Sequence, residues 1–417
     1  GRAADIVILI AFSIIAYVVL RTFPPRKEWN EIHWGLGIGV VALMVVWLFG
    51  LFYVPRLDLQ EYFRWFVVHY WVEGVWEVIH ISLIGFLLVL LFKVDVKSVG
   101  YAVFWGVILV WLSGLLGNAH HYFWIGTPEF WQFWGSLFSA FEPLPLIFCF
   151  WHVYLDAHQN KKPLENAPAF YFILGSVVLE QVGAGILGFS MTFALTNVWS
   201  HGTWITPAHG HLALFGTFGM LSLGAAYFAI PAMRKAEDFD QRLGKIGFWL
   251  VFTSMLGIAL AFALGGSVQI YAYRTLGLDW FGGDIFTAMG VFKLLIPIFG
   301  FVFSVGVGII VFDLFTIGSR KSVSNTSKQD SVKMTGWSRP LTGWEAGVWL
   351  MGMWIFGMIV TFGLLSYNLD TVRVEGNPAL PYLLAGIGYP GLFGITLLFV
   401  WRFLASLEAR IVNTVKS

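Results

Sequence analysis

Eleven stretches of this chain run for about 20 residues or more with almost no charge: roughly 4–22, 33–54, 62–92, 98–117, 129–157, 167–191, 206–232, 246–268, 285–316, 342–367 and 380–407. About 20 mostly apolar residues are what a helix needs to cross the hydrocarbon core of a bilayer. Lipid offers the backbone no hydrogen-bond partners, so a crossing segment must be a helix or part of a closed barrel. A barrel calls for alternating runs of about 10 residues, and these stretches do not alternate. The sequence therefore predicts an all-α fold, a polytopic transmembrane helix bundle of about 11 spans. Composition excludes the rivals. The chain is 58% hydrophobic and 12% charged, against about a quarter charged in soluble proteins. A soluble enzyme, a nucleic-acid binder and a disordered chain are ruled out, and membrane lipid is the surrounding partner.

The connections are short, apart from a polar stretch that reads as a linker over 317–341. Basic residues crowd one set of loops, among them Arg21, Arg26, Lys93, Lys161, Arg234 and Arg320, whereas the opposite loops hold Arg56, Arg274 and Arg373. Such asymmetry marks the basic side as cytoplasmic. Residue 1 is then expected outside and Ser417 inside. The opening residues carry no initiator Met and no small-residue cleavage site follows the first span. The expectation is that the sequence begins partway through a longer polypeptide.

The single Cys149 leaves no disulfide framework, thiolate zinc site, iron–sulfur cluster or covalent CxxCH haem attachment. Metal chemistry must use the 10 histidines and the carboxylates. His33, His80, His152, His158 and His201 read as hydrogen-bonded packing residues, because intramembrane polar groups usually find a partner. The other five fall into three groups. His69 and Glu73 are one helical turn apart on a single face, a pairing also compatible with a buried hydrogen bond. His120 and His121 end the fourth span, where a loosened helix would let both imidazoles turn to one point. His209 and His211 begin the seventh span and point about 200° apart. They suit two different metals, with Gly210 leaving room for a flat macrocycle. In the predicted topology all five lie in the outer half of the membrane. His69, His120, His121 and Glu73 would form one metal site: three imidazoles alone suit copper, and an added carboxylate favours non-haem iron. His209 would ligate a haem facing that metal, and His211 a second haem.

The segments HYWVEGVWE at 69–77, GNAHHYFWIGTPEFW at 117–131, FSAFEPLP at 138–145 and HGTWITPAHGHLALFG at 201–216 together resemble the haem–copper oxidase superfamily. Within it they resemble the catalytic subunit of bacterial nitric oxide reductases. The resemblance covers roughly residues 1–316, with Glu73 and the EPLP segment narrowing it to the reductases. Oxygen-reducing members of the common type carry a Tyr where Glu73 stands. The resemblance implies reduction of two NO to N2O and water at a dinuclear centre of haem b3 on His209 and non-haem iron. A low-spin haem b on His211 would feed it. Glu73, Glu77 and Glu142 are the implied proton relay. For Glu142 a bond to backbone freed by Pro143 or Pro145 is the bland alternative. Glu180, Lys293 and Asp313 are also intramembrane and receive no role. A cytochrome c subunit or quinol would donate electrons, in a bacterial or archaeal cytoplasmic membrane with the dinuclear site towards the outer side.

Two departures accompany the resemblance. The helix bearing HYWVEGVWE is third here and sixth in the family, so three helices, with the low-spin haem's second histidine, are expected on another chain or outside the given sequence. The helix pair at 342–417 extends beyond the family's last helix, and packing, dimerisation and accessory-subunit docking stay open for it. An oxygen-reducing terminal oxidase, with copper in place of iron, is the alternative reading. A non-catalytic haem-binding homologue is the second.

Overall fold

The computed structural model describes residues 1–159, 166–236, 239–274, 276–320, 343–371 and 380–414. Among them the regular elements are all helices. Ten are long and apolar enough to cross a membrane: Arg2–Thr22, Glu31–Phe49, Leu57–Phe92, Val96–Tyr122, Glu129–Leu155, Ala167–Met191, Ile205–Met233, Arg242–Arg274, Gly290–Thr316 and Ala385–Ser406. The expected tenth span is present as the helix Gly343–Thr371, with a shorter apolar core at Glu345–Val360. Every sequence-predicted span thus has its helix. Most of the expected linker lies outside the described residues.

Local chemistry sets the boundaries. Asn30 opens the second span with a capping box, its side chain accepting from the His33 amide while His33 reaches back to the Asn30 backbone. Asp95 caps the fourth span by accepting from the Ser98 amide at 2.9 Å. Asn166 caps the sixth through the Ala169 amide at 3.1 Å, with a proline in the first turn. The fifth span is not one helix. It breaks between Glu129–Ser139 and Leu144–Gln159, where Pro143 removes a backbone donor. The ninth breaks as well, a short helix at Gly283–Ala288 preceding Gly290–Thr316.

Among the described residues three spans contain π-helical turns, at Tyr70–Trp76, Gln181–Gly188 and Leu212–Gly219. A π turn admits one extra residue and shifts the side chains beyond it, and such turns gather at functional sites. The first follows His69, the third follows His211, and the second faces His209 through Gly183 and Gly188.

The chain divides into two compact units: residues 1–160 with 192–194, and 161–191 with 195–417. In the first, spans one to five pack around fully buried Val75, Val78, Ile84, Val99 and Val103. In the second, the sixth span is buried along its length, with Phe170, Phe172, Phe248 and Phe252 at its centre. The eighth and ninth spans lie along one another, and the eleventh packs on the eighth. In lipid no hydrophobic force favours helix–helix over helix–lipid contact, so close packing and polar contacts hold such bundles. One polar contact is large. Asp313, fully buried, accepts from Tyr227 Oη at 3.0 Å and pairs with Arg320.

Candidate metal centre

His69 ends the regular part of the third span, and Glu73 sits in the π turn that follows. His69 Nε2 lies 2.8 Å from the Gly114 carbonyl of the fourth span. A carbonyl only accepts, so Nε2 carries the proton and Nδ1 is left with a lone pair. That Nδ1 faces Glu73 Oε2 at 3.3 Å. Both atoms are buried without a hydrogen-bond partner. Two lone pairs aimed at one another in a buried site call for a cation or a proton between them.

The fourth span delivers the other two imidazoles. The sequence reading expected a loosened helix end; instead Asn118–Tyr122 tightens into a 3-10 turn. Successive side chains then turn by about 120° rather than 100°. His120 and His121 rings stand 4.2 Å apart, and His69 lies 4.9 Å and 5.0 Å from them. One ligand atom from each of His69, Glu73, His120 and His121 lies within 4.8 Å of all the others. Three imidazoles and a carboxylate fit a borderline transition metal, and the oxygen donor suits iron.

Glycine makes the approach possible. A Cβ on Gly114 would stand 3.0 Å from backbone atoms of Gly74 and 3.1 Å from the Glu73 carbonyl carbon. Aromatic rungs complete the clamp. Trp65 stacks on His121 at 4.6 Å and 7°, and Tyr62 stacks on Tyr122 at 4.0 Å. His120 Nδ1 meets Ser139 Oγ at 2.6 Å.

Glu142 occupies the break in the fifth span. Its buried Oε1 has no hydrogen-bond partner and lies 4.0 Å from His69 Nε2. Glu73 and Glu77 are its acidic neighbours, and Glu77 is buried. The structure thus brings Glu73, Glu77 and Glu142 together beside the histidine cluster.

His209 and His211 belong to the second unit. His209 Nδ1 donates to the Gly183 carbonyl and His211 Nδ1 to the Pro207 carbonyl, each at 2.8 Å. Both histidines therefore present Nε2 as the lone-pair nitrogen, the state an axial haem ligand requires, with its other nitrogen held as metal-bound histidines usually are. A Cβ on Gly210 would meet nothing within 4 Å, so the helix surface between the two histidines is open. His211 is exposed, with Phe262 4.9 Å away.

The remaining histidines are placed elsewhere. His33 serves its helix cap, His152 bonds Ser98 at 2.7 Å, and His80 is fully buried in the third span. The side chain of His158 lies outside the described residues. Glu180 bonds Gln181 at 2.6 Å, and Lys293 lies over the Phe286 ring. Sequence reasoning missed Ser139, Trp65 and the Gly114 carbonyl. Ser139 lies inside the FSAFEPLP segment, three residues before Glu142, and Trp65 one turn before His69. Only proximity in space gives them a role.

Residues 3–302 match the family described as Cytochrome C and Quinol oxidase polypeptide I. A nitric oxide reductase subunit of Stutzerimonas stutzeri is 35% identical over 272 residues, 64% of this chain and 57% of that protein. Cytochrome c oxidase subunit 1 of Corynebacterium diphtheriae is 33% identical over 113 residues, 26% of this chain and 18% of the oxidase. The same subunit of Corynebacterium glutamicum is 32% identical over 111 residues, 26% and 17% of the two chains. The match spans little more than half of the reductase subunit and under a fifth of either oxidase. With the family match covering most of the chain and the histidines gathered as above, this multi-pass membrane protein belongs to the cytochrome c and quinol oxidase polypeptide I family, the haem–copper oxidases.

Proposed function

We propose that the chain is the catalytic subunit of a nitric oxide reductase, converting two NO, two electrons and two protons to N2O and water. The observation that carries this reading is Glu73. Its carboxylate stands inside the three-histidine cluster, its Oε2 facing the lone pair of His69 Nδ1 at 3.3 Å. An oxygen donor there favours iron over copper. The similarity to the Stutzerimonas nitric oxide reductase subunit over 64% of the chain supports the reductase reading.

In this reading His69, Glu73, His120 and His121 hold non-haem iron, His209 holds haem b3, and His211 holds low-spin haem b. When bound, these groups supply electrons and keep two NO molecules close, which favours N–N bond formation. The chain's own residues do the rest. Gly114 and the π turn set His69 and Glu73 in register. Glu142, with Glu73 and Glu77 as neighbours, holds protons beside the site and passes them on. A cytochrome c subunit or quinol donates the electrons, and a further segment or chain supplies the family's first three helices with the second low-spin ligand. The setting is a bacterial or archaeal cytoplasmic membrane, with the centre towards the outer side.

The test is N2O formation from NO by the complex purified from its native membrane, with metal analysis of the same sample. Iron without copper is expected, with turnover lost in His120→Ala. One copper per chain, or unchanged turnover in His120→Ala, overturns the reading. Copper with oxygen consumption would instead identify a terminal oxidase.

A further inference from the structure

We propose that Ser139 is a positioning residue for the metal cluster: it determines which nitrogen of His120 faces the other ligands. The inference rests on the reading of that cluster as a metal site. Ser139 ends the helix Glu129–Ser139 and is 3% exposed. Its Oγ stands 2.6 Å from His120 Nδ1, and the Gly117 carbonyl lies 3.4 Å from the same oxygen.

The proton count ties the tautomer to metal binding. A serine hydroxyl has one proton and two lone pairs, and a carbonyl can only accept. A metal on His120 Nε2 needs that nitrogen's lone pair, so Nδ1 must carry the ring proton and Ser139 Oγ must accept it at 2.6 Å. The hydroxyl proton then turns away from the imidazole, on the side where the Gly117 carbonyl lies. This matches the arrangement at His69, where the Gly114 carbonyl takes the Nε2 proton and leaves Nδ1 open. In the opposite arrangement Ser139 donates to Nδ1, Nε2 keeps a proton that excludes a metal, and Gly117 loses this donor.

The backbone is built to bring the serine there. A Cβ on Gly117 would stand 2.9 Å from Ser139 Oγ and would also run into Glu142 Oε1. The absence of a side chain at 117 therefore admits both groups. Gly135, one turn before Ser139, has no room for a Cβ against the His120 amide, so this helix seats directly on the ligand-bearing turn. The break that follows Ser139 aims Glu142 towards the site as well. One helix end thus sets both a ligand's tautomer and the position of a neighbouring carboxyl.

Ser139→Ala and Ser139→Thr separate a tautomer role from simple packing, because threonine keeps the hydroxyl and alanine does not. Iron affinity is measured by chelator competition on the purified complex, with haem content and thermal midpoint as folding controls. Ser139→Ala is expected to bind iron about 10–100-fold more weakly at unchanged haem content, and Ser139→Thr to stay within about threefold of wild type, the usual scale for a lost ligand-orienting hydrogen bond. Equal iron binding by wild type and Ser139→Ala overturns the role of Ser139 alone, as does a Ser139→Thr variant as weak as alanine. A wild-type complex that binds no iron at all is a separate result and overturns the functional reading itself.

Discussion

Replacing Gly114 with alanine should part the two spans that carry the metal cluster. The new Cβ would lie 3.0 Å from Cα and N of Gly74 and 3.1 Å from the Glu73 carbonyl carbon, all backbone atoms. Ordinary contact begins near 3.4 Å, and backbone cannot rotate aside as a flexible side chain can. The spans must separate by roughly half an ångström, in a bundle packed too densely to absorb it elsewhere. The 2.8 Å bond from His69 Nε2 to the Gly114 carbonyl then stretches to about 3.3 Å, beyond the normal range. Overpacking costs about 1–3 kcal/mol and the weakened bond about 1 kcal/mol. Alanine's better helix propensity offsets about 0.5–1 kcal/mol of that. The net loss is about 1–3 kcal/mol of stability. Because His69 is misplaced, iron affinity should fall about 10–100-fold. Thermal unfolding and chelator competition on the detergent-solubilised complex read the two effects. Gly308→Ala in the ninth span is the control: no atom lies within 4 Å of its Cβ position, so it should be neutral or stabilising by up to about 1 kcal/mol. If Gly114→Ala matches this control in both assays, the close-approach argument fails.

Three further outcomes are expected. In Glu73→Gln the amide can donate to His69 Nδ1 and occupy the lone pair a metal would use, so chelatable iron and N2O formation should both drop while the thermal midpoint holds; retained iron and turnover would refute the ligand role. Gly210→Leu fills space that no protein atom occupies, so haem content by pyridine haemochrome should fall with little change in helical content by circular dichroism. Intact haem loading would show that the open space serves no flat ligand. Asp313→Asn removes the buried partner of Arg320, whose own side chain is 28% exposed, and should cost about 2–3 kcal/mol in thermal unfolding. Tyr227→Phe removes a single neutral donor and should cost only about 1 kcal/mol. Equal losses for the two variants would mean that the ion pair contributes nothing of its own.

Much of the site was legible in the chain because helical spacing is a local property. His209 and His211, two residues apart, have their relative directions fixed by helix geometry alone; His69 and Glu73 share a face at four residues, although Glu73 stands in a π turn that the spacing does not announce. His120 and His121 were less legible. Adjacent side chains diverge on a regular helix, and further still on the 3-10 turn these two occupy, so their meeting with His69 depends on tertiary packing, with close approaches at Gly114 and Gly135. The break at 140–143 carries a sequence mark in Pro143. Its effect, bringing Glu142 Oε1 to 4.0 Å from His69, depends on two helices packing. The π turns carry no mark in composition or periodicity.

What the sequence determined alone is the solvent and the material. Eleven apolar stretches demand lipid, lipid demands helices, and helix spacing sends His209 and His211 to opposite faces. What only the tertiary structure decided is protonation and orientation: which nitrogen of His69 carries the lone pair, which hydroxyl meets His120, which stacked rings hold them, and which carboxyls stand beside them. The reason is physical. A lone pair is assigned by the partner of the other nitrogen, and those partners, Gly114 and Ser139, lie 45 and 19 residues away along the chain. Period and composition reach a few residues along the chain, and a hydrogen bond across two helices does not register in either.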